Sequence, residues 1–441
     1  MSKHLAVIFA YHYPPENAIG GARPSRFAKY LSQMGYDCRV FTAAGAESSG
    51  DTNIFRIPDP FTADRRRGPG WQAERAIRKL FLPGEMGIRW SACACAAARL
   101  KIRAYRRANP GSRVTIFATF PPLGTLLASW RLGRMEGVPW IADFRDPLIE
   151  KCAPHGAWRQ RRAYQAIERA MVRGAGAVIA NTDAAKTMLL EKFPEASGKI
   201  RVIWNGFDSE DRVGPLPRAS ADFRVMSHTG ELYAGRTAAP VLESFARLIS
   251  AGRLPAAGVR VRLIGDAEEN SLPNQTFLDR ARAEGWLELV THRIPRNEAL
   301  RIAQSSDYLL LLQPQSTTQV PGKLFEYVRI GRPILALVRR DSPSERVLAR
   351  AGVPYRCVYA DESPAAVDDA VADFFRLPTA DVQPSAWFEE TFNAQCQARE
   401  LDAVMQSLHN EAERAADCLA PVPLRENLAQ THKSWKAASR Y

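Results

Sequence analysis

The fold of this chain is decided by the stretch Val320-Pro-Gly-Lys-Leu-Phe-Glu-Tyr327 and by the segment after it, Gly331-Arg-Pro-Ile-Leu-Ala-Leu337. The pattern predicts a loop, a helix that starts near Gly322 and a buried strand, which is a repeating unit of parallel α/β sheets. A helix N-terminus offers unpaired backbone N–H groups and the positive end of the helix dipole. It therefore suits a phosphate group.

Two side chains of this helix extend the argument. Lys323 adds a positive charge, and Glu326 lies about one turn further along the same helix. A carboxylate can accept hydrogen bonds from the two hydroxyls of a ribose. A diphosphate beside a ribose is what a nucleotide-sugar presents. The alternative is an ordinary helix start with a solvated Lys–Glu pair.

A similar arrangement lies near the N-terminus. The apolar run Leu5-Ala-Val-Ile-Phe9 predicts a strand, and the prolines and glycines within Tyr11–Arg23 predict a loop. Gly20 and Gly21 stand directly before a helical pattern of apolar residues, namely Phe27, Tyr30, Leu31 and Met34. Strand, glycine-rich loop and helix make a second candidate phosphate site, for which a tight turn is the alternative.

The hydrophobic pattern predicts two series of alternating strands and helices. Strands of the first series are predicted over Leu5–Phe9, Cys38–Phe41, Ile54–Ile57, Val114–Ala118, Trp140–Asp143, Ala177–Ala180 and Ile200–Trp204. Those of the second are predicted over Phe223–His228, Val259–Ile264, Leu287–Val290, Tyr308–Leu312, Pro333–Val338 and Tyr355–Val358. We expect an α/β fold of two doubly wound, Rossmann-like domains that bind ligand across a cleft, at the carboxyl ends of their strands.

Several sequence blocks carry a family resemblance. They are Tyr11-His-Tyr-Pro-Pro-Glu16 with Gly20-Gly-Ala-Arg23, Trp140-Ile-Ala-Asp-Phe-Arg-Asp-Pro147, Ile203-Trp-Asn-Gly-Phe-Asp208, His228-Thr-Gly-Glu-Leu-Tyr-Ala-Gly-Arg236 and Val320–Tyr327. In this order they resemble the family-4 glycosyltransferases of the GT-B fold. The resemblance implies sugar transfer with retention from a nucleotide-sugar, a UDP- or GDP-sugar as co-substrate, no other cofactor and no bound metal.

The resemblance also implies donor-site residues. In the family, an Arg after the first strand of the second domain and a Lys soon after it stabilise the leaving diphosphate. Arg236 matches the Arg, in the same block as Gly230, but Val241 occupies the Lys position, so we expect Lys323 to substitute. Further nucleotide-binding residues are expected at Gly20, Gly21, Gly265, Pro321, Gly322, Leu324 and Glu326. A surface arginine at position 236 and a plain turn at position 265 are the alternatives.

One family residue is absent. The family carries a Glu eight residues before the position of Glu326, and this chain has Thr318 there. The surrounding loop, Gln313–Val320, is polar but uncharged, and its amides and hydroxyls can still bind sugar hydroxyls. This variant resembles enzymes of surface-polysaccharide synthesis, so we expect a role in cell-surface polysaccharide or glycolipid synthesis.

Acceptor-side candidates lie in the first series. Asp143 and Asp146 follow a predicted strand, so a carboxylate there can take the acceptor proton or steady a developing cation. The alternative is a structural Asp–Arg pair. His12 follows the first strand and is a further candidate, with a simple loop histidine as the alternative. Because the leaving phosphate can itself take the proton, a dedicated protein base is not required.

The resemblance and the chain pattern together suggest the domain organisation. We expect an N-terminal acceptor-side domain over residues 1–206 and a C-terminal nucleotide-sugar-binding domain over residues 207–391. Residues 392–411 should form a helix that crosses back to the N-terminal domain. Residues 412–441 are polar and patternless, which predicts a loosely ordered tail.

Composition bounds the environment of the chain. Its 441 residues suit two or three domains, and its seven cysteines are odd in number and scattered, which favours free thiols in a reducing cytoplasm. The seven histidines show no metal-ligand spacing. We find no apolar run of membrane-spanning length and no signal peptide, so we expect a cytoplasmic protein, with peripheral binding to the inner membrane face as an extension.

The net charge of +13 is concentrated in one segment. Phe61–Ala108 contains twelve basic and three acidic residues, interleaved with Trp71, Phe81 and Trp90. Such a mixture suits an anionic membrane surface and a lipid-linked acceptor. The alternative is a solvated face of two helices. Nucleic acid is not expected as a partner, because no recognition motif accompanies the charge.

Two other functions stay open on the sequence. One is a nucleotide-sugar epimerase or hydrolase on the same fold, which would act without an acceptor. The other is a non-catalytic nucleotide-sugar-binding protein that kept the fold without the first glutamate. The motifs also leave open the nucleotide base, the donor sugar, the acceptor and the oligomeric state.

Overall fold

The computed structural model describes residues 3–16, 19–43, 52–60, 69–82, 86–149, 157–218, 222–232 and 235–419. Within these ranges, no helix has both the length and the apolar character needed to cross a lipid bilayer. The cysteines described with their side chains carry free thiols; they are Cys38, Cys93, Cys95, Cys357 and Cys396.

Seven strands of the described residues form the first sheet. They are β1 (His4–Phe9), β2 (Asp37–Ala43), β3 (Ile54–Ile57), β4 (Arg113–Phe120), β5 (Trp140–Phe144), β6 (Ala177–Ala180) and β7 (Ile200–Val202). Their order is β3-β2-β1-β4-β5-β6-β7, and all neighbours are parallel. The central strands are apolar on both faces because helices cover both sides of the sheet.

The second sheet has six strands within the described residues. They are β8 (Arg224–Thr229), β9 (Val259–Ile264), β10 (Leu287–Val290), β11 (Tyr308–Gln313), β12 (Ile334–Val338) and β13 (Tyr355–Tyr359). The order is β10-β9-β8-β11-β12-β13, again parallel throughout. The predicted fold class, α/β with two doubly wound Rossmann-like domains, is therefore confirmed.

The helices alternate with the strands. In the first domain they are α1 (Ala22–Gln33), α2 (Pro69–Phe81), α3 (Ile88–Ala108), α4 (Leu123–Glu136), α5 (Trp158–Gly174) and α6 (Asp183–Lys192). The remainder are α7 (Ala239–Ser250), α8 (Gln275–Ala283), α9 (Arg296–Ser305), α10 (Gly322–Ile330), α11 (Pro343–Ala351), α12 (Pro364–Phe374), α13 (Ala386–Phe392) and α14 (Ala394–Leu419). Several start at a side-chain cap; for example, Thr182 Oγ1 accepts a hydrogen bond from the Ala185 amide at 3.0 Å.

The chain crosses between the domains twice, and the two crossings are paired. The Phe207 amide donates to the Phe392 carbonyl at 3.0 Å, and the Ala394 amide donates to the Phe207 carbonyl at 2.8 Å. A Cβ atom at Gly206 would lie 1.9 Å from the Phe392 carbonyl oxygen, so only glycine permits this approach. The crossings lie at residues 206–207 and 392–394, and the domain bounds expected from the sequence stay a prediction.

The last helix returns to the first domain. Ala398, Leu401 and Met405 of α14 are buried against a cluster that includes Phe27 and Leu31 of α1. The helix continues to Leu419, so it is longer than the predicted 392–411 segment, and residues 412–419 are helical rather than part of a tail. Residues 420–441, the rest of the predicted tail, lie outside the described residues.

A buried ion pair ties α1 to the sheet and to the domain connection. The Arg23 Nη2 atom lies 2.9 Å from Asp143 Oδ1, and Arg23 Nε lies 3.0 Å from Asp143 Oδ2. The Asp143 carboxylate also accepts a hydrogen bond from Thr119 Oγ1 at 2.8 Å. Arg23 donates in addition to the carbonyls of Ile203 and Trp204, at 2.8 and 2.5 Å.

This geometry corrects the expectation that Asp143 handles the acceptor. Its side chain is fully buried, and both carboxylate oxygens are engaged by Arg23 or Thr119. The structural Asp–Arg pair considered above is present, although its arginine is Arg23, which lies 120 residues away in the sequence.

We predict that Asp143→Ala lowers the free energy of unfolding by about 3–5 kcal/mol, because it leaves the Arg23 charge buried without its carboxylate. Urea unfolding followed by circular dichroism measures the change. The matched control is Asp369→Ala, which removes an exposed Arg253–Asp369 pair at 2.9 Å and should cost less than about 1 kcal/mol. Equal costs for the two variants would contradict the structural role of the buried pair.

Candidate active site at the carboxyl edge of the second sheet

Two glycines bring the ends of β8 and β9 together. Gly230 has φ = +136° and Gly265 has φ = +133°, and a Cβ atom at Gly265 would lie 2.6 Å from the carbonyl carbon and oxygen of Gly230. The Gly230 amide donates to the Ile264 carbonyl at 2.6 Å. Side chains are excluded at both positions, so the backbone itself forms the surface of this edge.

Lys323 reaches this surface from the first turn of α10. A Cβ atom at Gly230 would lie only 1.5 Å from Nζ of Lys323, so the ammonium group rests directly on the glycine. The residue before the helix, Pro321, provides no side-chain cap, and a Cβ atom at Gly322 would have no neighbour within 4 Å. The N-terminus of α10 is thus open, and its first N–H groups suit an anion.

Burial and a second cation lower the pKa of Lys323. Desolvation and the nearby Arg236 guanidinium lower the pKa of Lys323 to about 8, and Glu326 and Glu231 oppose that shift. The same lysine affects His228 at the end of β8. Burial and the Lys323 charge lower the pKa of His228 to about 3, so this imidazole is neutral. His228 Nδ1 donates to the Leu310 carbonyl at 2.9 Å. The edge therefore concentrates positive charge on Lys323 and Arg236.

Glu326, the expected ribose anchor, lies beside this charge on α10. Its Oε1 atom is 2.5 Å from Nη2 of Arg296, the first residue of α9. Leu324, the other nucleotide-site candidate on this turn, is fully buried and packs in the core below α10. Leu324 therefore supports the helix from its inner side rather than lining the surface.

In the first domain, Gly20 and Gly21 lie between β1 and α1 and pack against the start of the same segment and against Arg145. A Cβ atom at Gly21 would lie 3.0 Å from the Cα of Tyr13, and the Gly20 carbonyl accepts a hydrogen bond from Arg145 Nη1 at 3.2 Å. His12 Nδ1 lies 3.1 Å from Glu16 Oε1. Close packing thus accounts for Gly21, whereas a Cβ atom at Gly20 would make ordinary contacts of 3.4 Å or more. The predicted contact of both glycines with phosphate stays a prediction.

Asp146 is placed where the two domains meet. Gln319, in the loop after β11, donates its side-chain amide to the Asp146 carboxylate. Thr182 Oγ1 donates to the Thr318 carbonyl at 2.5 Å. The uncharged loop that replaces the family glutamate therefore touches the first domain at two points.

The structure gathers most of the predicted donor-site residues. Gly230, Gly265, Lys323 and Glu326 lie at one edge with Arg236, whereas His12, Gly20, Gly21 and Asp146 belong to the first domain. Sequence reasoning missed the contacts made by Gln319, Arg293 and Arg296. Nothing in the chain pattern marks these residues, because each partner is distant in sequence.

We predict that the Lys323 pKa couples stability to pH. The unfolded chain holds this proton up to about pH 10.5 and the folded protein only to about pH 8, so the unfolded state binds more protons between these values. The Lys323 contribution to stability should therefore rise with pH across that window, by about 1.4 kcal/mol per unit of pKa difference. Urea unfolding of the natural protein and of Lys323→Met at pH 7, 8, 9 and 10 measures it. A difference between the two proteins that is constant with pH would contradict the prediction.

Comparisons with known proteins agree with this architecture. Residues 25–211 match the sequence model of Glycosyltransferase Family 4, and curated protein sequences give no match. Among solved structures, the chain resembles Anabaena HepE in complex with UDP and glucose (TM-score 0.55, 13% identity, 91% of this chain and 99% of that one). It also resembles the α,α-trehalose 6-phosphate synthase of Burkholderia multivorans (TM-score 0.56, 12% identity, 94% of this chain and 99% of that one). A third similar structure is WaaG, a glycosyltransferase involved in lipopolysaccharide biosynthesis (TM-score 0.51, 15% identity, 95% of this chain and 100% of that one).

At these identities the structural likeness establishes the fold, and the sequence match covers the greater part of the first domain. Both agree with the motif resemblance noted in the sequence. The chain therefore has the GT-B fold, and its first domain is similar in sequence to Glycosyltransferase Family 4.

Proposed function

We propose that the protein is a glycosyltransferase that moves a sugar from a UDP- or GDP-sugar to an acceptor hydroxyl with retention. One observation carries the proposal. The Lys323 ammonium rests on Gly230, next to Arg236 and to the uncapped N-terminus of α10. These groups form a fixed cationic surface at the strand edge where doubly wound domains bind nucleotides.

The charge at this edge explains how the leaving group would be stabilised. As the glycosidic bond breaks, the diphosphate gains negative charge. Lys323, Arg236 and the α10 amides are already in position, so little reorganisation is needed to stabilise that charge. They would provide the charge that a metal ion provides elsewhere. Among the described residues, no group of three or more His, Cys, Asp or Glu side chains is arranged to hold a metal.

The acceptor side has fewer candidates than the sequence suggested. Asp143 is enclosed, and Asp146 and His12 remain, each with a polar partner. We propose that the leaving phosphate takes the acceptor proton, and that the protein acts by positioning the two substrates and by electrostatic stabilisation. HepE, a structural relative, was solved with UDP and glucose, which supports the choice of a nucleotide-sugar as donor.

The test begins with nucleotide binding. A thermal-shift panel of nucleoside diphosphates and nucleotide-sugars in excess EDTA selects the base, because a bound ligand raises the unfolding temperature. We expect Glu326→Ala to weaken binding of the selected diphosphate by about 1–3 kcal/mol, the scale of a hydrogen bond to a charged group. The matched control is Glu298→Ala, an exposed carboxylate on α9. Equal affinities of the two variants in calorimetry would sink the ribose assignment.

Turnover then separates the candidate reactions. The selected nucleotide-sugar is incubated with saccharide and lipid-linked acceptors in EDTA, and the anomeric configuration of the product is read by NMR. Transfer with retention is the expected result. Consumption of the donor without an acceptor would favour the epimerase or hydrolase. Binding without any turnover would favour a non-catalytic protein, and activity that appears only with Mn²⁺ or Mg²⁺ would contradict metal-independent transfer.

We also propose that the first domain touches an anionic membrane through α2 and thereby meets a lipid-linked acceptor in surface-polysaccharide or glycolipid synthesis. Ile77, Leu80 and Phe81 are exposed on this helix, at 60, 42 and 40% of their surface.

Two expectations from the sequence about this basic segment are corrected. Trp90 is fully buried, and a part of the basic excess is neutralised, since Arg99, Arg103 and Arg106 converge on Glu136. Residues 61–68 and the Trp71 side chain lie outside the described residues.

We predict that the double variant Ile77→Glu/Leu80→Glu loses binding to vesicles that contain anionic lipid, because it replaces exposed apolar side chains with negative charge. Co-sedimentation at increasing anionic-lipid content measures binding. Leu100→Glu, on the exposed face of α3, changes a similarly exposed leucine and should behave like the natural protein. Equal binding of all proteins, or binding that ignores lipid charge, would make a soluble acceptor the better choice.

A further inference from the structure

The loop after β10 and the start of α9 each direct one arginine at a carboxylate of the cationic surface. The Arg293 guanidinium contacts the Glu231 carboxylate, and Arg296 contacts Glu326. Glu231 directly follows Gly230, and both carboxylates lie close enough to Lys323 to raise its pKa. Lys323 therefore has two carboxylates nearby, and each is paired with an arginine from the segment that follows β10.

Strand order explains why this loop reaches the site. The Gly265 amide donates to the Val290 carbonyl at 2.8 Å, just as the Gly230 amide donates to Ile264. The ends of β8, β9 and β10 are consequently neighbours along one edge. Arg293 lies three residues after β10, and its side chain spans the edge to Glu231.

The family's lysine position is occupied by Val241, which is fully buried in the core of the second domain and contributes no charge. Lys323 and Arg236 therefore carry the positive charge of the site. A nucleoside diphosphate brings two or more negative charges, so another cation near Gly230 would improve the balance. Arg293 is suited to that role because 75% of its side-chain surface is exposed, so the side chain has room to rearrange.

The Arg293–Glu231 pair is also easy to exchange. An exposed ion pair stabilises a protein by about 0–1 kcal/mol. Hydrogen bonds from a guanidinium to a phosphate are charge-assisted and can be bidentate. A diphosphate seated on Gly230 and Lys323 would therefore compete successfully with Glu231 for the arginine.

We propose that Arg293 is a diphosphate-binding residue which Glu231 holds next to the site and which transfers from the carboxylate to the phosphate when the nucleotide binds. This inference rests on the proposed function of the same edge. It also gives Glu231 a second role beside its stabilisation of the Lys323 ammonium.

Calorimetric titration with inorganic pyrophosphate, UDP and GDP in EDTA tests the proposal. Arg293→Gln should weaken binding about 10-fold, the scale of one lost charge-assisted hydrogen bond. Glu231→Gln should tighten it about threefold, since the competing surface pair is removed. The double variant should bind like Arg293→Gln alone. The control is Arg301→Gln, an exposed arginine on α9, which should leave affinity unchanged.

The double variant separates a transfer of Arg293 from a general effect of charge. If Glu231→Gln tightens binding equally with and without Arg293, the carboxylate acts only by repulsion and the proposal is overturned. An unchanged affinity in Arg293→Gln overturns it as well. Thermal unfolding without ligand verifies that each variant is folded.

Arg236→Ala and Lys323→Met distinguish this inference from the proposed function. If neither weakens binding of the three probes, the edge is not a diphosphate site and the proposed function fails. If both weaken binding while Arg293→Gln behaves like Arg301→Gln, only the role of Arg293 fails.

Discussion

The contact of the Lys323 ammonium with Gly230 sets the arrangement of the site. It requires the absence of a side chain at Gly230, and the adjoining backbone of Gly265 requires the same at the next strand. Because these backbones touch, the following segments stay paired, with the Leu232 amide donating to the Asp266 carbonyl at 2.8 Å. A buried ammonium is costly, and its lowered pKa records that cost. Glu231 and Glu326 offset part of it, so the carboxylates at this edge stabilise the lysine as well as flank it.

The two domains use polar groups differently. In the first domain the strongest pairs are buried, since Asp143 is enclosed by Arg23 and Thr119, and Arg145 donates to the carbonyls of Pro121 and Gly20. Such pairs fix the backbone and are not available to a ligand. In the second domain the arginines at the strand edge are exposed and pair with single carboxylates. Exposed pairs exchange partners at low cost. These polar pairs of the first domain are therefore structural, and the exposed arginines at the edge of the second sheet can exchange partners.

Local pattern in the sequence was sufficient for the secondary structure but not for the long-range partners. Predicted strands differ from the observed ones by two residues at most at either end, because short apolar runs bounded by turn residues are typical of the buried strands of parallel sheets. The phosphate-suited start of α10 was also predictable from Gly322 and Lys323. The partner of Asp143 was not, since Arg23 lies in another element and no periodicity connects them. Trp90 was misplaced for a related reason. Arg89 directly precedes it, and only tertiary packing shows that Trp90 faces the core.

The loop Gln313–Val320 joins the two domains at the position where the family resemblance implies a glutamate. The Thr318 backbone carbonyl accepts a hydrogen bond from Thr182 of the first domain, which any residue at this position could do, and the Gln319 side chain donates to Asp146. A glutamate in this loop would place a second negative charge near Asp146, and like charges at short range repel. Neutral residues permit the loop to bridge the domains. The loop therefore links the first domain to the second near the ends of the strands. Under the proposed function, a donor sugar would meet uncharged groups in this loop.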